Sequence, residues 1–563
     1  MMNNTRQKHK VIIIVSVIAV VLVAAVLISI LVIRLLDVVD SSVGDRGNLL
    51  EHYAYFVPES TKSDTKYALV DKDGKKLTEY NIEKFDQFVD GYTIVKTTEG
   101  WGIMDDSGKM TVKPNEYDAL SRVGGLYTAL EPGLSERKLL HGSGRVVTTY
   151  SPILNVDLKQ RNSFGDKYAM AVAIKRDDDA YDIYDASGNK VKSIKTKKAP
   201  VISTLGMVNW MRNKITSVSY DGGLILISNS DLKVVHFTDK ASRIYHLADA
   251  SYDSTQLTFK EVKDKTNDDT SSSNSAIYIN GLFKEIGDKC DYLNVNSTEF
   301  NPTGYISCNS ARSKGFFDSR GELRRSSDLL SDKSYAIIDS SHYASYYRGG
   351  TAKIGNKSID SVVKITTSGR NFVVQSGTKH IVYDHNGVKI CVLPSGYSSF
   401  SGFNGDGVGI LNVYGGQNDS AYLIDKSCSK VSSGYDSISV LGDKLFVAKT
   451  LIVNSTTNLP NAYSYSLIDK TGSEIIKTGE YQSFSRTGYY NGTVDFIVGK
   501  KVDGSSVLFD SNLKKITDFK GSYIFDNAQG LLRVYDEKFI TYYSLDGVKL
   551  HSVEIGEWAR PRT

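Results

Sequence analysis

Residues 100–114 read GWGIMDDSGKMTVKP, and this stretch decides the fold. An apolar pair, Ile103 and Met104, leads into Asp105, a polar turn runs to Gly108, and apolar positions return after Lys109. An aspartate can accept hydrogen bonds from the backbone amides ahead of it, and glycine supplies the positive φ that a tight hairpin requires. The stretch therefore predicts a strand, a tight turn and a second strand.

The same pattern recurs along the chain. Copies with an aspartate at or near the turn start lie at 68–77, 102–111, 182–191, 315–323, 381–390, 422–431, 466–475, 507–516 and 542–550, and degenerate copies lie at 224–235 and 276–286. Many short strands joined by glycine- and aspartate-containing turns are typical of all-β proteins. We therefore predict an all-β repeat fold.

The spacing of the turns predicts the kind of repeat. Asp71 and Asp105 lie 34 residues apart, and Asp384, Asp425, Asp469 and Asp510 follow one another at intervals of 41, 44 and 41 residues. One blade of a β-propeller takes about 40 to 45 residues and four strands, and a single propeller holds about 4 to 8 blades. Residues 50–558 would hold around 12 blades at about 42 residues each. We therefore predict two consecutive β-propeller-like domains, 51–305 and 306–558, joined near residues 301–315.

The opening stretch also resembles a known family. The residues from Trp101 to Asp105, with Gly108, Pro114, Tyr117 and Asp118, stand in the order of the bacterial WG repeat. Residues 100–118 resemble one nearly complete WG repeat, and the match over the rest of the chain is weaker. The resemblance implies a β-propeller-like, non-catalytic module of exported and surface proteins, with no active-site residues to transfer. We also expect Trp101 to pack inside its blade.

The N-terminal region predicts a membrane anchor. Residues 11–33 form a run of 23 residues without a charge, long enough to cross a bilayer as a helix. Arg6, Lys8 and Lys10 precede the run, and the positive-inside rule places them in the cytoplasm. We predict a cytoplasmic tail at 1–10, a transmembrane signal-anchor helix in the lipid bilayer at 11–36, a stalk at 37–50, and an extracytoplasmic remainder.

A cleaved signal peptide is the alternative to this anchor. Its apolar region should span about 7 to 15 residues and end at a small-x-small site. The observed run is longer, and the segment after it, IRLLDVVD, offers no such site. The sequence favours a single-pass protein of the cell membrane, with its N-terminus in the cytoplasm and its C-terminal domain outside.

The charge pattern argues against nucleic acid as a partner. The chain has 68 basic and 64 acidic residues, for a net charge of +4. The basic residues are scattered among acidic ones, whereas neutralising a phosphate backbone takes a one-sided basic surface.

Four cysteines fall in the part predicted to be exported, where disulfides persist. Three pairings are possible, and proximity along the chain favours Cys290 with Cys308 and Cys391 with Cys428. Free, buried cysteines are the alternative. None belongs to a C-x-x-C pair, which argues against a zinc site.

Several short motifs imitate functional sites. Residues 71–74, DKDG, lack the glutamate that ends a calcium loop, and residues 349–358, GGTAKIGNKS, depart from a phosphate-binding loop. Residues 230–233, 511–514 and 470–472 imitate motifs of serine penicillin-binding enzymes but fall in predicted hairpin turns. His380 and His385 flank a strand, and residues 177–179, DDD, read as a charged turn. We predict no catalytic, cofactor-binding or metal-binding residues, and a protein that is not an enzyme.

Tyrosine-rich patches are the remaining candidates for ligand contact. They comprise Tyr343, Tyr346, Tyr347, Tyr489 and Tyr490. Tyrosine is favoured at binding surfaces, but it is also a common strand residue, so packing is the preferred interpretation. Together the patterns predict a membrane-anchored extracytoplasmic protein that binds a surface protein or glycan. An exported glycan hydrolase on the same scaffold and an envelope assembly scaffold are the alternatives.

Overall fold

The structure is a computed structural model that describes residues 54–555, apart from 152–168, 178, 206–214, 230, 252, 263–273, 299–300, 311–313, 326–332, 348, 415–419, 442–443, 454–459, 490–493, 527–530 and 545. The described residues form strands and no helix, which confirms the all-β prediction. No described helix is long and apolar enough to span a membrane. The predicted tail, anchor helix and stalk at 1–50 lie outside the described residues.

The strands form ten antiparallel sheets in which chain neighbours are also sheet neighbours. Sheet 1 contains β1 (Ala54–Pro58), β2 (Tyr67–Asp71), β3 (Ile82–Phe85), β4 (Tyr92–Thr97), β5 (Gly100–Asp105) and β6 (Met110–Val112). Sheet 2 contains β7 (Ala119–Val123), β8 (Leu126–Leu130), β9 (Arg137–Leu140) and β10 (Val146–Tyr150). Sheet 3 contains β11 (Ala171–Asp177), β12 (Ala180–Asp185) and β13 (Lys190–Lys195).

The next three sheets have four strands each. Sheet 4 contains β14 (Val201–Ser203), β15 (Ile215–Tyr220), β16 (Gly222–Ser228) and β17 (Val234–Ala241). Sheet 5 contains β18 (Tyr245–Ala250), β19 (Gln256–Glu261), β20 (Ser275–Ile279) and β21 (Leu282–Gly287). Sheet 6 contains β22 (Tyr292–Thr298), β23 (Asn301–Asn309), β24 (Lys314–Phe317) and β25 (Leu323–Arg325).

Sheets 7 and 8 follow. Sheet 7 contains β26 (Lys333–Ile337), β27 (Tyr343–Tyr347), β28 (Gly350–Ile354), β29 (Lys357–Ser368), β30 (Asn371–Ser376), β31 (Lys379–Tyr383) and β32 (Lys389–Val392). Sheet 8 contains β33 (Tyr397–Phe400), β34 (Gly409–Val413) and β35 (Ser420–Ile424).

Sheets 9 and 10 complete the chain. Sheet 9 contains β36 (Ser437–Val440), β37 (Leu445–Val453), β38 (Pro460–Asp469), β39 (Glu474–Tyr489), β40 (Val494–Lys501), β41 (Ser506–Phe509) and β42 (Lys515–Phe519). Sheet 10 contains β43 (Tyr523–Asp526), β44 (Leu531–Tyr535), β45 (Phe539–Tyr543) and β46 (Lys549–Glu554).

The predicted hairpin chemistry is confirmed at the turn between β5 and β6. Asp105 Oδ1 accepts hydrogen bonds from the backbone N–H of Ser107, at 3.0 Å, and of Lys109, at 2.9 Å. Gly108 N–H donates to Asp105 O at 3.0 Å, and Gly108 has a φ of +86°. The same pair of carboxylate bonds recurs in the turns that start at Asp71, Asp185, Asp318, Asp384, Asp425, Asp469 and Asp510.

Successive turns are stacked on one another. The glycine of a turn lies against the chain just after the preceding turn: Gly108 against Leu77 and Thr78, Gly144 against Thr111, Gly188 against Val147, Gly321 against Leu282, Gly387 against Lys357, Gly472 against Val431 and Gly547 against Ile516. The first turn repeats the contact with the last one, because a Cβ built on Gly74 would lie 2.9 Å from Leu550 O. We call this set of contacts the turn ladder.

Apolar cores join the sheets in the same order. Buried clusters connect sheet 1 with 2, 2 with 3, 3 with 4, 4 with 5, 5 with 6, 7 with 8, 8 with 9 and 9 with 10. Phe316 of sheet 6 packs against Tyr335 and Tyr343 of sheet 7, with ring centroids 5.6 and 5.0 Å apart. A further cluster contains Tyr55 and Val57 of sheet 1 with Leu550 of sheet 10. The first sheet therefore packs against the last one.

The cysteines form two disulfides, Cys290–Cys308 and Cys391–Cys428, with Cα atoms 5.4 and 5.8 Å apart. The pairing by proximity is confirmed, and the described residues include no free cysteine. Cys428 has a φ of +61° and stands where other turns have glycine. Its partner Cys391 belongs to β32, directly after the preceding turn, so this disulfide takes the place of one contact of the turn ladder.

Trp101 differs from its prediction. Its side chain is 40% exposed, so the expectation that it packs inside a blade is wrong. It stands near the start of β5, paired across the sheet with Lys96, where neither neighbouring sheet covers it completely. The predicted boundary between residues 305 and 306 falls within β23, which pairs with β22 and β24. The two-domain division stays a prediction.

Candidate functional site

A buried polar cluster lies between sheets 1 and 2. We call it the Arg122 cluster, and it consists of Asp86, Gln87, Asp90, Arg122, Tyr127 and His141. The first three residues belong to the connection between β3 and β4, in which Asp90 and Gly91 have φ values of +51° and +76°. This left-handed pair turns the chain back sharply and brings the connection against sheet 2.

Arg122 is the centre of the cluster, and its side chain is only 2% exposed. Its Nη1 donates to Gln87 O at 3.0 Å and lies 4.0 Å from Asp86 Oδ1. Arg122 Nε and Nη2, Gln87 Oε1 and Tyr127 Oη have no hydrogen-bond partner among the described residues. Arg122 and Tyr127 are direct cross-strand partners and share one face of sheet 2. Buried polar atoms without partners are rare, which marks this cluster as a candidate site.

His141 occupies the turn position that aspartate holds elsewhere. Its Nδ1 accepts the backbone N–H of Ser143 at 3.2 Å, and its Nε2 lies 3.2 Å from Asp90 Oδ2. Because Nδ1 accepts an amide proton, the hydrogen bonds assign the neutral tautomer with its proton on Nε2, donated to Asp90. His141 thereby connects a turn of sheet 2 to the β3–β4 connection of sheet 1.

Ser143, His141 and Asp90 stand in the order of a catalytic triad, because Ser143 Oγ lies 2.9 Å from His141 Nδ1. The same hydroxyl contact occurs in turns that start with aspartate. Ser107 Oγ donates to Asp105 and Ser427 Oγ donates to Asp425, both at 2.6 Å. The contact of Ser143 is therefore explained by the geometry of the repeated turn.

The electrostatic surroundings keep Tyr127 neutral. Burial raises the pKa of the Tyr127 phenol; Arg122 opposes the shift, while Asp86 and Asp90 add to it. The cluster thus offers guanidinium N–H donors, an amide oxygen acceptor and a neutral phenol within one buried volume. Such a set suits the binding of a polar group or the support of a loop.

A second polar cluster joins sheets 5, 6 and 7. Gln256 Nε2 donates to Gly304 O at 2.7 Å and to Ser340 Oγ at 3.2 Å. Thr303 Oγ1 donates to Asp253 at 2.6 Å. Each polar cluster includes a connection between the first and second strands of a four-stranded repeat.

These connections and the repeated turns lie on one side of the sheets. In an antiparallel meander, the connections after the first and third strands leave the sheet at the same edge. The bond from Asp106 N–H to Gly91 O, at 3.0 Å, joins the two kinds of connection in the first repeat. We call this side, with its polar clusters and turns, the loop face.

The motifs that imitated functional sites belong to hairpins. Residues 349–358 belong to the β28–β29 hairpin with no helix after them. The Asp510 and Asp469 turns contain residues 511–514 and 470–472, as predicted. His380 packs edge-on against Tyr397, with ring centroids 4.8 Å apart, and His385 packs against His342 at 4.7 Å. Among the described residues, no group of three or more His, Cys, Asp or Glu side chains is arranged to hold a metal ion.

The tyrosine patches are divided between packing and exposure. Tyr343 packs in the aromatic contact with Phe316, and Tyr346 packs against the core of sheet 7, whereas Tyr347 is exposed. The side chains of Tyr489 and Tyr490 lie outside the described part of the structure.

Sequence reasoning missed Arg122, His141 and Gln256. In the segment ALSRVGGLY, residues 119–127, Arg122 reads as an exposed strand residue. Its burial depends on Gln87, which lies 35 residues away along the chain. The one available signal is the replacement of the turn aspartate by His141, which departs from the repeat.

Comparisons with known proteins were made for the whole chain. No family model matches it, and no curated protein matches it. Among solved structures, a eukaryotic initiation factor is similar with a TM-score of 0.30 and 12% identity, covering 68% of this chain and 97% of that one. A computationally designed protein has a TM-score of 0.22 and 11% identity, covering 64% of this chain and 97% of that one. A dihydro-haem d1 dehydrogenase has a TM-score of 0.20 and 11% identity, covering 62% of this chain and 72% of that one.

Proposed function

We propose that this chain is a membrane-anchored, extracytoplasmic binding protein whose β-propeller-like ectodomain presents its loop face to a surface protein or glycan. The observation that carries the proposal is the turn ladder, which returns from the last turn to the first. The resemblance of residues 100–118 to a WG repeat is consistent with it.

The return of the chain on itself supports a propeller-like arrangement. In a propeller each blade packs face to face with the next one, and the last blade must pack against the first. Leu550 of sheet 10 packs against sheet 1 in this way, in one core with Tyr55 and Val57. A closed frame of this kind holds many connections rigidly on one face, and such connections are where binding residues concentrate.

The connections of the loop face are supported by polar contacts beneath them. The carboxylates of the turn aspartates accept hydrogen bonds from backbone amides of their own turns, so these residues stabilise the turns. The Arg122 cluster and the Gln256 cluster lie beneath the connections and fix their conformation. The proposed role is therefore recognition, with the ligand held by exposed residues of the connections.

The membrane anchor is proposed from the amino-acid sequence. The charge-free run at 11–33 and the basic residues before it support a position of the repeats outside the cytoplasm. On intact cells, an added protease should cut a tag placed at the C-terminus. Cleavage that occurs only after lysis would contradict this orientation.

Photo-crosslinking from the full-length protein in its native membrane tests the binding role. A photo-reactive amino acid is placed at Ser143 on the loop face, and in a matched variant at Thr98, in the β4–β5 connection at the opposite edge. Both residues are exposed. We expect Ser143 to capture a surface protein or a glycan and Thr98 to capture neither.

The two alternative functions, an assembly scaffold and an exported hydrolase, predict different outcomes in experiments on the full-length protein. Equal capture from Ser143 and Thr98 would contradict a loop-face site and favour an assembly scaffold with broad contacts. Release of soluble sugar from wall glycan by the purified full-length protein would favour the exported hydrolase.

A further inference from the structure

The end strand of sheet 4 has an unusual surface. β17 is the last strand in its sheet, and no other described strand pairs with its outer edge. Val234 and Val235 are each 46% exposed and Phe237 is 42% exposed. Among the described end strands, β17 is distinguished by three large exposed apolar side chains.

Two of the exposed apolar residues of β17 lie on one face of the strand. Phe237 pairs with Ile225, which belongs to the core shared with sheet 3, whereas His236 pairs with Leu226, which belongs to the core shared with sheet 5. Val234 pairs with Ile227, which also belongs to the core shared with sheet 3, so Val234 lies on the Phe237 face, and Val235 is the extra residue at a register shift between these pairs. An open backbone edge beside exposed apolar side chains is a surface to which an incoming strand can add.

The surroundings of this edge are basic. Lys192 of β13 holds its Nζ 3.3 Å from the centroid of the Phe237 ring. Together β13 and β17 carry Lys190, Lys192, Lys195 and Lys240 but only one acidic residue, Asp239. Of the four lysines, only Lys190 has a carboxylate partner within 4.0 Å in the described structure, at Asp182. The edge therefore carries uncompensated positive charge.

We propose that the outer edge of β17 binds an extended, acidic segment of a partner protein, which adds to sheet 4 as a further antiparallel or parallel strand. Backbone N–H and C=O groups of β17 supply the pairing, Val234 and Phe237 cover apolar side chains of the segment, and Lys192 and Lys240 attract its carboxylates. This surface goes beyond the proposed loop-face function, and either one can fail without the other.

The pairing requirement favours a peptide over an anionic glycan. A polyanionic glycan would use the lysines but would leave the strand edge and the apolar side chains without partners. The free edge and the exposed valines are the features that a second peptide strand satisfies.

The test uses the full-length protein in detergent and a fluorescent eight-residue peptide of alternating glutamate and valine. Three other probes are compared with it: the same peptide N-methylated at alternate residues, an alternating lysine and valine peptide, and polygalacturonate. We expect only the first peptide to bind, with an affinity that falls as salt is raised. Hydrogen exchange should slow in residues 234–241 when it is bound.

Charge-reversal variants complete the test. The double variant Lys192→Glu with Lys240→Glu should weaken peptide binding at least tenfold. The matched control Lys389→Glu, on end strand β32, should leave binding unchanged, and thermal unfolding checks that all variants fold. Equal binding of the N-methylated peptide or of polygalacturonate would overturn the proposal, as would absence of binding or binding without slower exchange in β17.

Discussion

At the scale of single residues, the glycine of each turn has two separate roles. Gly74 takes a φ of +82°, which a residue with a Cβ adopts only at a cost, and it lies directly against the backbone of Leu550. Gly133 has a similar φ, +74°, but a Cβ there would meet nothing within 4 Å. A comparison of these two glycines separates the cost of backbone strain from the cost of a steric clash.

Gly74→Ala should destabilise the protein more than Gly133→Ala. Both substitutions introduce an unfavourable positive φ, at about 1 kcal/mol each. Only the first adds a clash with a backbone oxygen, for which overpacking costs of about 1 to 3 kcal/mol are typical. Thermal unfolding of the two variants measures the difference, and equal melting temperatures would contradict the close contact at Gly74.

Hydrogen bonding and burial shift the pKa values of the turn aspartates in opposite directions. Hydrogen bonds from the Ser427 hydroxyl and then from the Ser429 backbone N–H lower the pKa of Asp425. Burial raises the pKa of Asp185, although hydrogen bonds from the backbone and side chain of Asn189 oppose the shift. The same turn thus gives shifts of opposite sign at these two positions, because burial is the largest influence on Asp185 and hydrogen bonds are the largest on Asp425.

Asp425→Asn and Asp185→Asn should therefore show opposite dependences on pH. A lowered pKa stabilises the fold above the unfolded value of about 3.9, and this contribution is lost as pH falls through the folded pKa. The loss of stability in Asp425→Asn, at most about 1 kcal/mol for an exposed group, should shrink towards pH 2. A raised pKa disfavours the folded state above that pKa, so Asp185→Asn should become relatively less stable as pH falls. Urea unfolding between pH 7 and pH 2 measures both, and parallel trends would contradict the assignment.

Much of the residue chemistry of the turns can be predicted from sequence, because an Asx turn involves only neighbouring residues. The Arg122 cluster could not be predicted in this way, since its burial depends on a connection from another sheet. The prediction for Trp101 was wrong in the opposite direction, because a residue expected to be buried is partly exposed. Its place in the WG-like motif indicated a buried residue, but at the start of β5 its side chain is only partly covered.

At the scale of elements, one contact of the turn ladder is covalent. Cys428 stands at the glycine position of its turn and is bonded to Cys391, 37 residues earlier. The other disulfide, Cys290–Cys308, closes 18 residues and links the end of sheet 5 to β23. Both cross-links hold the strands of adjacent repeats together.

Replacing either pair of cysteines by serine should lower stability by about 3 to 4 kcal/mol on the chain-entropy model, with the Cys391–Cys428 pair at the higher end. The longer closed segment gives the larger effect in that model. Thermal unfolding of the two double variants under oxidising conditions provides the measurement. The reduced wild-type protein is the control, and it should be no more stable than either variant.

Hairpins were predictable from the sequence, but their grouping into sheets was not. Sheets 1, 7 and 9 contain six, seven and seven strands, because neighbouring repeats are joined within one sheet. In sheets 7 and 9 the long strands β29 and β39, of 12 and 16 residues, continue from one repeat into the next. Gly479 in β39 and Ser361 in β29 have φ values of +113° and +59°, but neither belongs to an aspartate–glycine turn, so a period read from those turns alone cannot show the join.

At the scale of the whole molecule, the decisive feature is the packing of sheet 10 against sheet 1. No strand is shared between the two sheets, since sheet 1 begins at β1 and sheet 10 ends at β46. Packing makes the join, through Leu550, Tyr542 and their partners in β1 and β2 and through the close approach of Gly74 to the backbone of Leu550. The other neighbouring sheets are also joined by side-chain cores, but they are consecutive in the chain, so the join between sheets 10 and 1 should be the weakest connection between neighbouring sheets.

Leu550→Ala tests this join. Removing a buried leucine side chain costs about 2 to 5 kcal/mol wherever it is placed, so stability alone does not identify the join. The location of the loss of protection does identify it. The backbone amides of residues 54–58 and of residues 549–554, at opposite ends of the described chain, should both exchange hydrogen faster. The matched variant Leu411→Ala, in the core between sheets 7 and 8, should quicken exchange around β34 and leave both ends unchanged. If Leu550→Ala loosens β46 while β1 keeps its protection, the two ends do not depend on each other, and the closed arrangement proposed for the repeats is wrong.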